Sequence, residues 1–332
     1  MNTSEKKRVV LAGGSGFLGM ALVKKFVAHG DEVVVLTRSP HERGDGAKEI
    51  FWDARTLGDW AKMIVGAEAV INLAGKSVDC RYTERNRRRI ISSRVDSTRV
   101  LGEAIANCKQ PPRVWLNSSS ATLYKHTFDT PMDESGAVGA TPEAKDEFSI
   151  EVIRQWERAL FADDVGQASR LSPNEMPQEV RDRRDACPTR KIAMRITLVF
   201  GKDGGVFPVL RRLARFGLGG RMGSGKQFVS WIHVEDFCQA VEWLIAKDDL
   251  RGPVNFAAPN PLPNRDLMRL IRENCGAPVG LPATEWMLEV GAFFIRTETE
   301  LIIKSRRVVP GKLLASGFQF QFPELRGALE NL

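Results

Sequence analysis

No run among the 332 residues approaches the roughly 18 uninterrupted apolar side chains a membrane span needs. The first eight residues are too few and too polar for a secretory signal. Both absences point to a soluble, cytoplasmic protein without a membrane partner, an organelle being the alternative. The five cysteines, Cys80, Cys108, Cys187, Cys238 and Cys275, stand far apart with no C-x-x-C pair, and the four histidines form no cluster beside them. That excludes a disulfide framework and leaves no expected metal site. The positive residues behind the net charge of +7 lie in separate groups, 87–89, 181–184 and 211–215, without interleaved aromatics. A nucleic-acid surface is therefore not expected, and a small anionic substrate is the reading that suits the charge.

What is present is an ordinary enzyme composition, 43% hydrophobic and 27% charged, in a chain long enough for a large α/β domain with a second lobe. Near the start, the apolar run Val9, Val10, Leu11 and Ala12 leads into a turn in which Gly13, Gly16 and Gly19 fall three apart. Gly14, Gly16 and Gly19 also satisfy G-x-G-x-x-G. Such a turn needs backbone angles and approach distances that a Cβ blocks, so that N–H groups at the next helix's N-terminus face a pyrophosphate. Leu18, Leu22, Val23, Phe26 and Val27 give that helix its apolar stripe. The second strand, 32–36, ends in Thr37, Arg38 and Ser39. An NAD site places a carboxylate here. A guanidinium with two hydroxyls suits a 2′-phosphate, so NADP(H) is expected in preference to NAD(H).

A third strand over 50–53, a helix over 57–65 and a fourth strand over 69–73 continue the β-α-β alternation of a doubly wound parallel sheet. Asn72, Leu73, Ala74 and Gly75 let the backbone pass close to a cofactor. A long helix over 83–107 puts Ile91, Val95, Thr98, Leu101 and Ile105 on one face. Its basic turns, 85–89, read as solvated, while Arg94 is placed to turn toward a phosphate. A fifth strand from Val114 runs into Ser118, Ser119, Ser120, Ala121, Thr122, Leu123 and Tyr124.

Serines and a tyrosine at the end of a parallel strand, with the glycine turn and Asn72 to Gly75, resemble the extended short-chain dehydrogenase/reductase family, which includes nucleotide-sugar epimerases and dehydratases. The resemblance implies that Ser120 hydrogen-bonds the substrate's reacting oxygen. It also implies cofactor contacts at Gly13, Gly14, Ser15, Gly16, Phe17, Leu18, Gly19, Thr37, Arg38, Ser39, Asp53, Asn72, Leu73, Ala74, Gly75, Arg94, Ser118 and Val199. The family's Tyr-x-x-x-Lys pair is missing: Asn86 stands four residues after Tyr82 and Phe128 four after Tyr124, and there is no other tyrosine. Where the pair's helix should lie, Phe148, Val152, Trp156 and Leu160 form a packing stripe. This departure, the segments 194–201, 204–208 and 223–237, and the tail 303–325 are similar to an atypical branch called epimerase family proteins, some likened to a cell-division inhibitor.

The resemblance implies a Rossmann domain over 1–200, with 226–250 returning to it, and a smaller C-terminal α/β substrate lobe from 201–225 and 251–332 ending in a helical subdomain. Asp236 and Asn264 are expected to cap helices, and 282–296 to pack as a core helix. Segment 163–190, polar and broken by prolines, reads as a surface insertion, either partly disordered or gripping a protein partner. Arg195 reads as a structural anchor. Arg221 and Lys226 are placed to meet a substrate phosphate or carboxylate. His233 either donates to an anionic substrate or is a satisfied histidine at a strand end. Two functions follow. One is an NADP(H)-dependent oxidoreductase or epimerase-like enzyme of unknown substrate, with Ser120 polarising an oxygen and Tyr124 donating a proton, backed by water or by Asp146 and Glu147. The other is an NADP-binding regulatory or assembly protein without competent chemistry.

Overall fold

The computed structural model describes residues 6–144, 146–167, 189–284, 286–288 and 304–332. Strands β1 (Arg8–Ala12), β2 (Glu32–Thr37), β3 (Lys48–Phe51), β4 (Ala69–Asn72), β5 (Val114–Ser120) and β6 (Arg190–Ile196) are followed by the hairpin β7 (Leu198–Gly201) and β8 (Gly204–Gly205). Then come β9 (Phe228–Val229), β10 (Trp231–His233), β11 (Gly252–Phe256) and β12 (Leu262–Pro263). Seven strands make one sheet in the order β11-β6-β5-β4-β1-β2-β3, each adjacent pair parallel. This is a Rossmann-like α/β fold.

The inner strands are apolar along their length because both faces are covered. Val9, Leu11, Val33, Val35 and Ile71 face one side and pack with helix α1 (Phe17–Ala28) and the helix Val234–Ala246. The alternate residues, Val10, Ala12, Val34, Leu36 and Val70, face helix α2 (Glu84–Ala106) and helix α3 (Glu147–Gln167). Thr83 caps α2, its hydroxyl accepting the Asn86 N–H at 3.3 Å. The buried face of α2 begins at Ile90 rather than at Ile91, because the neighbouring face, with Ser93 and Asp96, borders a cleft. The expected helix over 57–65 is a single 3-10 turn, Asp59–Met63.

A second core holds Phe200, Phe207, Trp231, Leu267, Ile271 and Leu325. One boundary differs from expectation: β11, assigned above to the substrate lobe, is the edge strand of the main sheet beside β6. Pro253 lacks an N–H, which an edge position tolerates. Leu313 and Phe318 follow it into the main core. The two cores approach each other at Phe17. Its ring lies under the β7–β8 hairpin so closely that a Cβ at Gly201 or Gly204 would stand 2.5 or 2.6 Å from ring atoms.

The insertion begins later than expected, since α3 runs on to Gln167. Residues 168–188, with Cys187, Arg181 to Arg184 and the proposed partner contact, lie outside the described residues, as do Val290, Phe293 and Phe294. Trp286, expected in a packed core, is exposed. Among the described residues no helix is long and apolar enough to cross a membrane, and no group of His, Cys, Asp and Glu is arranged to hold a metal.

Candidate functional site

The sheet order turns between β1 and β4, and there the loops at the carboxyl ends of the strands diverge and open a crevice. The crevice is a cleft of about 1060 Å³. Of the expected cofactor residues, Gly13, Ser15, Gly16, Thr37, Arg38, Ser39, Asp53, Leu73, Ala74 and Gly75 line it.

The glycines have separate reasons. Gly13 has φ +80°, and a Cβ on it would lie 2.8 Å from the Ala74 nitrogen, so it lets the turns after β1 and β4 touch. A Cβ on Gly14 would strike Val35 at 2.9 Å, and one on Gly19 would strike the Gly14 backbone at 2.5 Å. These two shape the turn without lining the cleft. Gly16 precedes α1, whose first turn has no side-chain cap and no acidic residue. Its N-terminal N–H groups are the uncapped donors an anion uses.

Arg38, at the end of β2, is exposed at the cleft and makes no hydrogen bond or ion pair among the described residues. Arg55, Lys76 and Arg89 add cations. Lys76 and Arg89 were missed: the first directly follows Gly75, and the second sits in the basic turns read as solvated. Asp53 lines the cleft with its carboxylate already committed. It accepts the Thr56 and Arg55 N–H groups at 2.9 and 2.8 Å, which hold its pKa below the usual range.

Several expected contacts lie elsewhere. The Phe17, Leu18 and Val199 side chains pack in the core around α1. Asn72 is buried, its Nδ2 donating to Asn117 Oδ1 at 2.7 Å and its Oδ1 accepting the Ala74 N–H at 3.0 Å, so it shapes the loop from beneath. Arg94 does not line the cleft. It donates to the Lys76 and Ile90 carbonyls at 2.9 and 3.1 Å and lies against Trp156. Burial lowers its pKa to about 10.

Ser118 and Ser119 are buried in β5, while Ser120 is half-buried at its end, its hydroxyl donating to Thr122 Oγ1 at 3.1 Å and accepting the Thr122 N–H at 3.2 Å. Tyr124 has its hydroxyl engaged in the interior. The ring is 0% exposed. Its hydroxyl donates to Asn255 Oδ1 at 2.8 Å and accepts from Arg195 at 2.9 Å, within the protein. Burial pushes the phenol above its ordinary pKa, the wrong direction for an acid. The other groups offered for that role are no better placed. Asp146 is buried in an ion pair with Lys304, and Glu147 is exposed at the start of α3.

Below Ser120, the α3 helix performs a packing and anchoring role. Val152, Trp156 and Leu160 are buried as the stripe predicts. Trp156 donates to Thr98 Oγ1 at 3.0 Å, and Glu157 grips Arg195 through two bonds of 2.9 Å while accepting the Ser119 hydroxyl at 2.6 Å. Burial opposes the Arg195 charge, but the Glu157 carboxylate outweighs it and holds the guanidinium above its usual range.

The substrate-side cations do not border the cleft. Arg221 donates to the Gly223 carbonyl of its own loop at 2.6 Å, and Lys226 is exposed. His233 fits neither of its two readings in full: it does not line the cleft, and its buried Nε2 has no hydrogen-bond partner among the described residues. It caps the helix Val234–Ala246, its Nδ1 accepting the Glu235 N–H at 3.1 Å, with its ring 4.0 Å from that of Phe322. Asp236, expected as that cap, instead accepts the Gln321 and Phe322 N–H groups at 2.7 and 3.0 Å. Asn264 likewise opens its helix without capping it, accepting the Met222 N–H at 2.8 Å.

Burial lowers the His233 pKa from 6.5 to about 4. The fold therefore favours the neutral ring. Its contribution is complete above pH 6.5 and is lost as pH falls toward 4, when the unfolded chain binds a proton that the folded chain refuses. Denaturation of wild type and His233→Asn, which retains a capping oxygen, should show the wild type losing up to about 3 kcal/mol more over that interval. Parallel pH profiles would overturn this account.

Comparison with known proteins agrees with this arrangement. Residues 9–145 match the NAD dependent epimerase/dehydratase family, and residues 283–332 match a domain of unknown function, DUF1731. The chain is 28% identical to epimerase family protein SDR39U1 of Homo sapiens over 328 residues, covering 98% of this chain and 99% of that one. It is also 28% identical to epimerase family protein YfhF of Bacillus subtilis over 331 residues, covering 98% and 97%. The crystal structure of human SDR39U1 (isoform 2) with NADPH superposes with a TM-score of 0.78 at 27% identity, covering 98% of each chain. With this turn, this sheet order and relatives aligned nearly end to end, the chain is similar throughout to epimerase family proteins, and its first part matches the NAD dependent epimerase/dehydratase family.

Proposed function

We propose that the cleft binds NADP(H) in preference to NAD(H), and that the protein is an oxidoreductase or epimerase-like enzyme acting on a small, anionic substrate. The observation that carries the cofactor choice is Arg38, an exposed guanidinium without a carboxylate partner, on the strand end where an NAD site places an acid. The uncapped first turn of α1 and the space kept by Gly13 and Gly16 fit a pyrophosphate. A solved relative, human SDR39U1, is described with NADPH. The cofactor would be held by Gly13 to Gly16, Thr37 to Ser39 and Leu73 to Gly75, and would supply or accept a hydride.

The chain's own chemical contribution is Ser120, the half-buried hydroxyl at the end of β5. Its hydrogen bonds with Thr122 fix its position, and exchanging the one it donates to Thr122 Oγ1 for one to a substrate oxygen would polarise that oxygen. A second reading, a nucleotide-binding regulatory protein without turnover, draws support from the missing tyrosine–lysine pair and the burial of Tyr124.

Calorimetric titration of NADPH and NADH tests the reading. Wild type should bind NADPH the tighter, and Arg38→Ala should weaken NADPH by about 10- to 100-fold, the equivalent of one or two charge-assisted bonds, while leaving NADH nearly unchanged. Equal loss for both nucleotides would remove the 2′-phosphate role. Binding of neither nucleotide by wild type would remove the cofactor assignment altogether.

A further inference from the structure

The end of β2 carries no acid, but the fold brings one to the cleft from the next strand. Glu49 sits on β3 opposite Val35, and it lines the cleft together with Arg38, Ser39 and His41. A carboxylate in such a position can accept ribose hydroxyls and repel a 2′-phosphate, so it would work against the preference assigned to Arg38. Whether it does so depends on whether its oxygens and its charge are free.

Each oxygen is already engaged. Glu49 Oε2 accepts the His41 N–H at 2.8 Å, and Oε1 accepts Arg43 Nη1 at 2.9 Å. Arg43 is itself held in place. Its Nε donates to Asp45 Oδ1 at 2.9 Å, its Nη2 pairs with the other Asp45 oxygen, and its Nη2 also lies 3.5 Å from the Met20 sulfur on α1. The Arg43 and Glu49 side chains are only 11% and 7% exposed, so solvent screens the pair weakly. Burial disfavours the Glu49 charge, yet the His41 N–H and the guanidinium outweigh it and keep the carboxylate below its usual pKa. An ionised acid thus shares the cleft with Arg38, each of its oxygens engaged once and its field partly offset by Arg43.

We propose that Arg43 is a specificity-determining residue that masks Glu49, and that the choice of NADP(H) requires this mask as well as Arg38. The inference rests on the cofactor reading above, and it makes Arg43 a positioning residue that acts through another side chain. Without Arg43, the local charge of Arg43, Asp45 and Glu49 changes from −1 to −2, and Glu49 gains a free oxygen turned to the cleft.

The test is fluorescence titration of NADPH and NADH at low ionic strength with wild type, Arg43→Ala, Glu49→Gln and Arg43→Ala/Glu49→Gln. A unit charge several ångströms away near the surface is worth about a factor of ten. Arg43→Ala should therefore weaken NADPH by about tenfold and leave NADH equal or tighter, while the double variant returns NADPH to within about threefold of wild type. Glu49→Gln alone takes the same trio from −1 to 0 and should tighten NADPH, but by clearly less than the roughly tenfold it restores in the Arg43→Ala background, because Arg43 already offsets part of the acid's field.

A double variant as weak for NADPH as Arg43→Ala would overturn the proposal in favour of direct contact between Arg43 and the phosphate. A Glu49→Gln protein that bound NADPH about tenfold tighter would overturn it in another way, showing the acid unmasked in wild type. If wild type showed no NADPH preference, both this inference and the cofactor reading would fall. A normal preference with an indifferent Arg43→Ala would remove only this one.

Discussion

Lys304→Ala is expected to lower the free energy of unfolding by about 3 to 5 kcal/mol. The Lys304 and Asp146 side chains are each 0% exposed and are paired with one another. Asp146 Oδ1 also accepts the Thr141 N–H at 3.0 Å, and Lys304 donates to the Thr122 carbonyl at 2.6 Å. Removing the ammonium leaves an ionised carboxylate without its counter-charge in a medium that solvates it poorly, and the cost of that orphan exceeds the net worth of the pair. Replacing both groups by apolar side chains of similar volume, Asp146→Leu/Lys304→Met, should be far milder.

The pair also has a positional consequence. Beyond Lys304 the chain is stitched to the loop after β5, where the Ser305 N–H donates to His126 Nδ1 at 3.0 Å and the Met132 N–H to the Arg307 carbonyl at 2.8 Å. Thr122, which Lys304 holds from behind, is the residue that orients the Ser120 hydroxyl. Urea denaturation followed by far-UV circular dichroism is the measurement. A Lys304→Ala protein within about 1 kcal/mol of wild type would show that the site relaxes or hydrates cheaply.

Gly19→Ala should have a comparable effect on structure and a larger one on ligand binding. The new methyl would stand 2.5, 2.6 and 2.7 Å from the Gly14 Cα, carbonyl carbon and carbonyl oxygen, all backbone atoms that cannot rotate away. Helix α1 must then move off the turn, which opens the packing of Leu22 and Phe26 beneath it and misdirects the N–H groups at its start. We expect a loss of several kcal/mol of stability and at least about a 100-fold loss of NADPH affinity.

Gly16→Ala separates the two effects. A Cβ there meets nothing nearer than the Gly13 oxygen at 3.9 Å, and the residue's φ of −83° suits alanine. That protein should melt like wild type yet bind NADPH poorly, because its methyl projects at the mouth of the turn. A Gly19→Ala protein with wild-type affinity would mean that helix and turn adjust without disturbing the donors.

The glycine turn and the inner strands were legible in the chain because each leaves a local mark. A strand covered on both faces reads as an unbroken apolar run, and a phosphate turn reads as glycines at fixed spacing. Strand β11 leaves no such mark. Its residues include Pro253 and the buried Asn255, and only the parallel pairing with β6 makes it a strand.

At the site, the hard cases are those in which a distant partner decides where a side chain points. Tyr124 follows Ser120 by four residues, but Asn255, 131 positions away, draws its hydroxyl into the interior. His233 takes the capping role expected of Asp236, because the tail at Gln321 and Phe322 claims the aspartate. Glu49 is invisible as a cleft residue until β3 is laid beside β2. No spacing rule reports such long-range choices.

The ring of Phe17 under the β7–β8 hairpin couples two parts of the molecule mechanically. Phe17 is joined directly to Gly16, and above its ring lie Gly201, Gly204 and Gly205, where a Cβ would come within 2.5, 2.6 and 3.3 Å of ring atoms. None of these glycines has a side chain that can yield, so a displacement of the turn is transmitted to the hairpin instead of being absorbed. The hairpin leads straight into the helix Phe207–Arg215 and the second core. Turn and hairpin are thus packed without slack, so the position of one fixes that of the other.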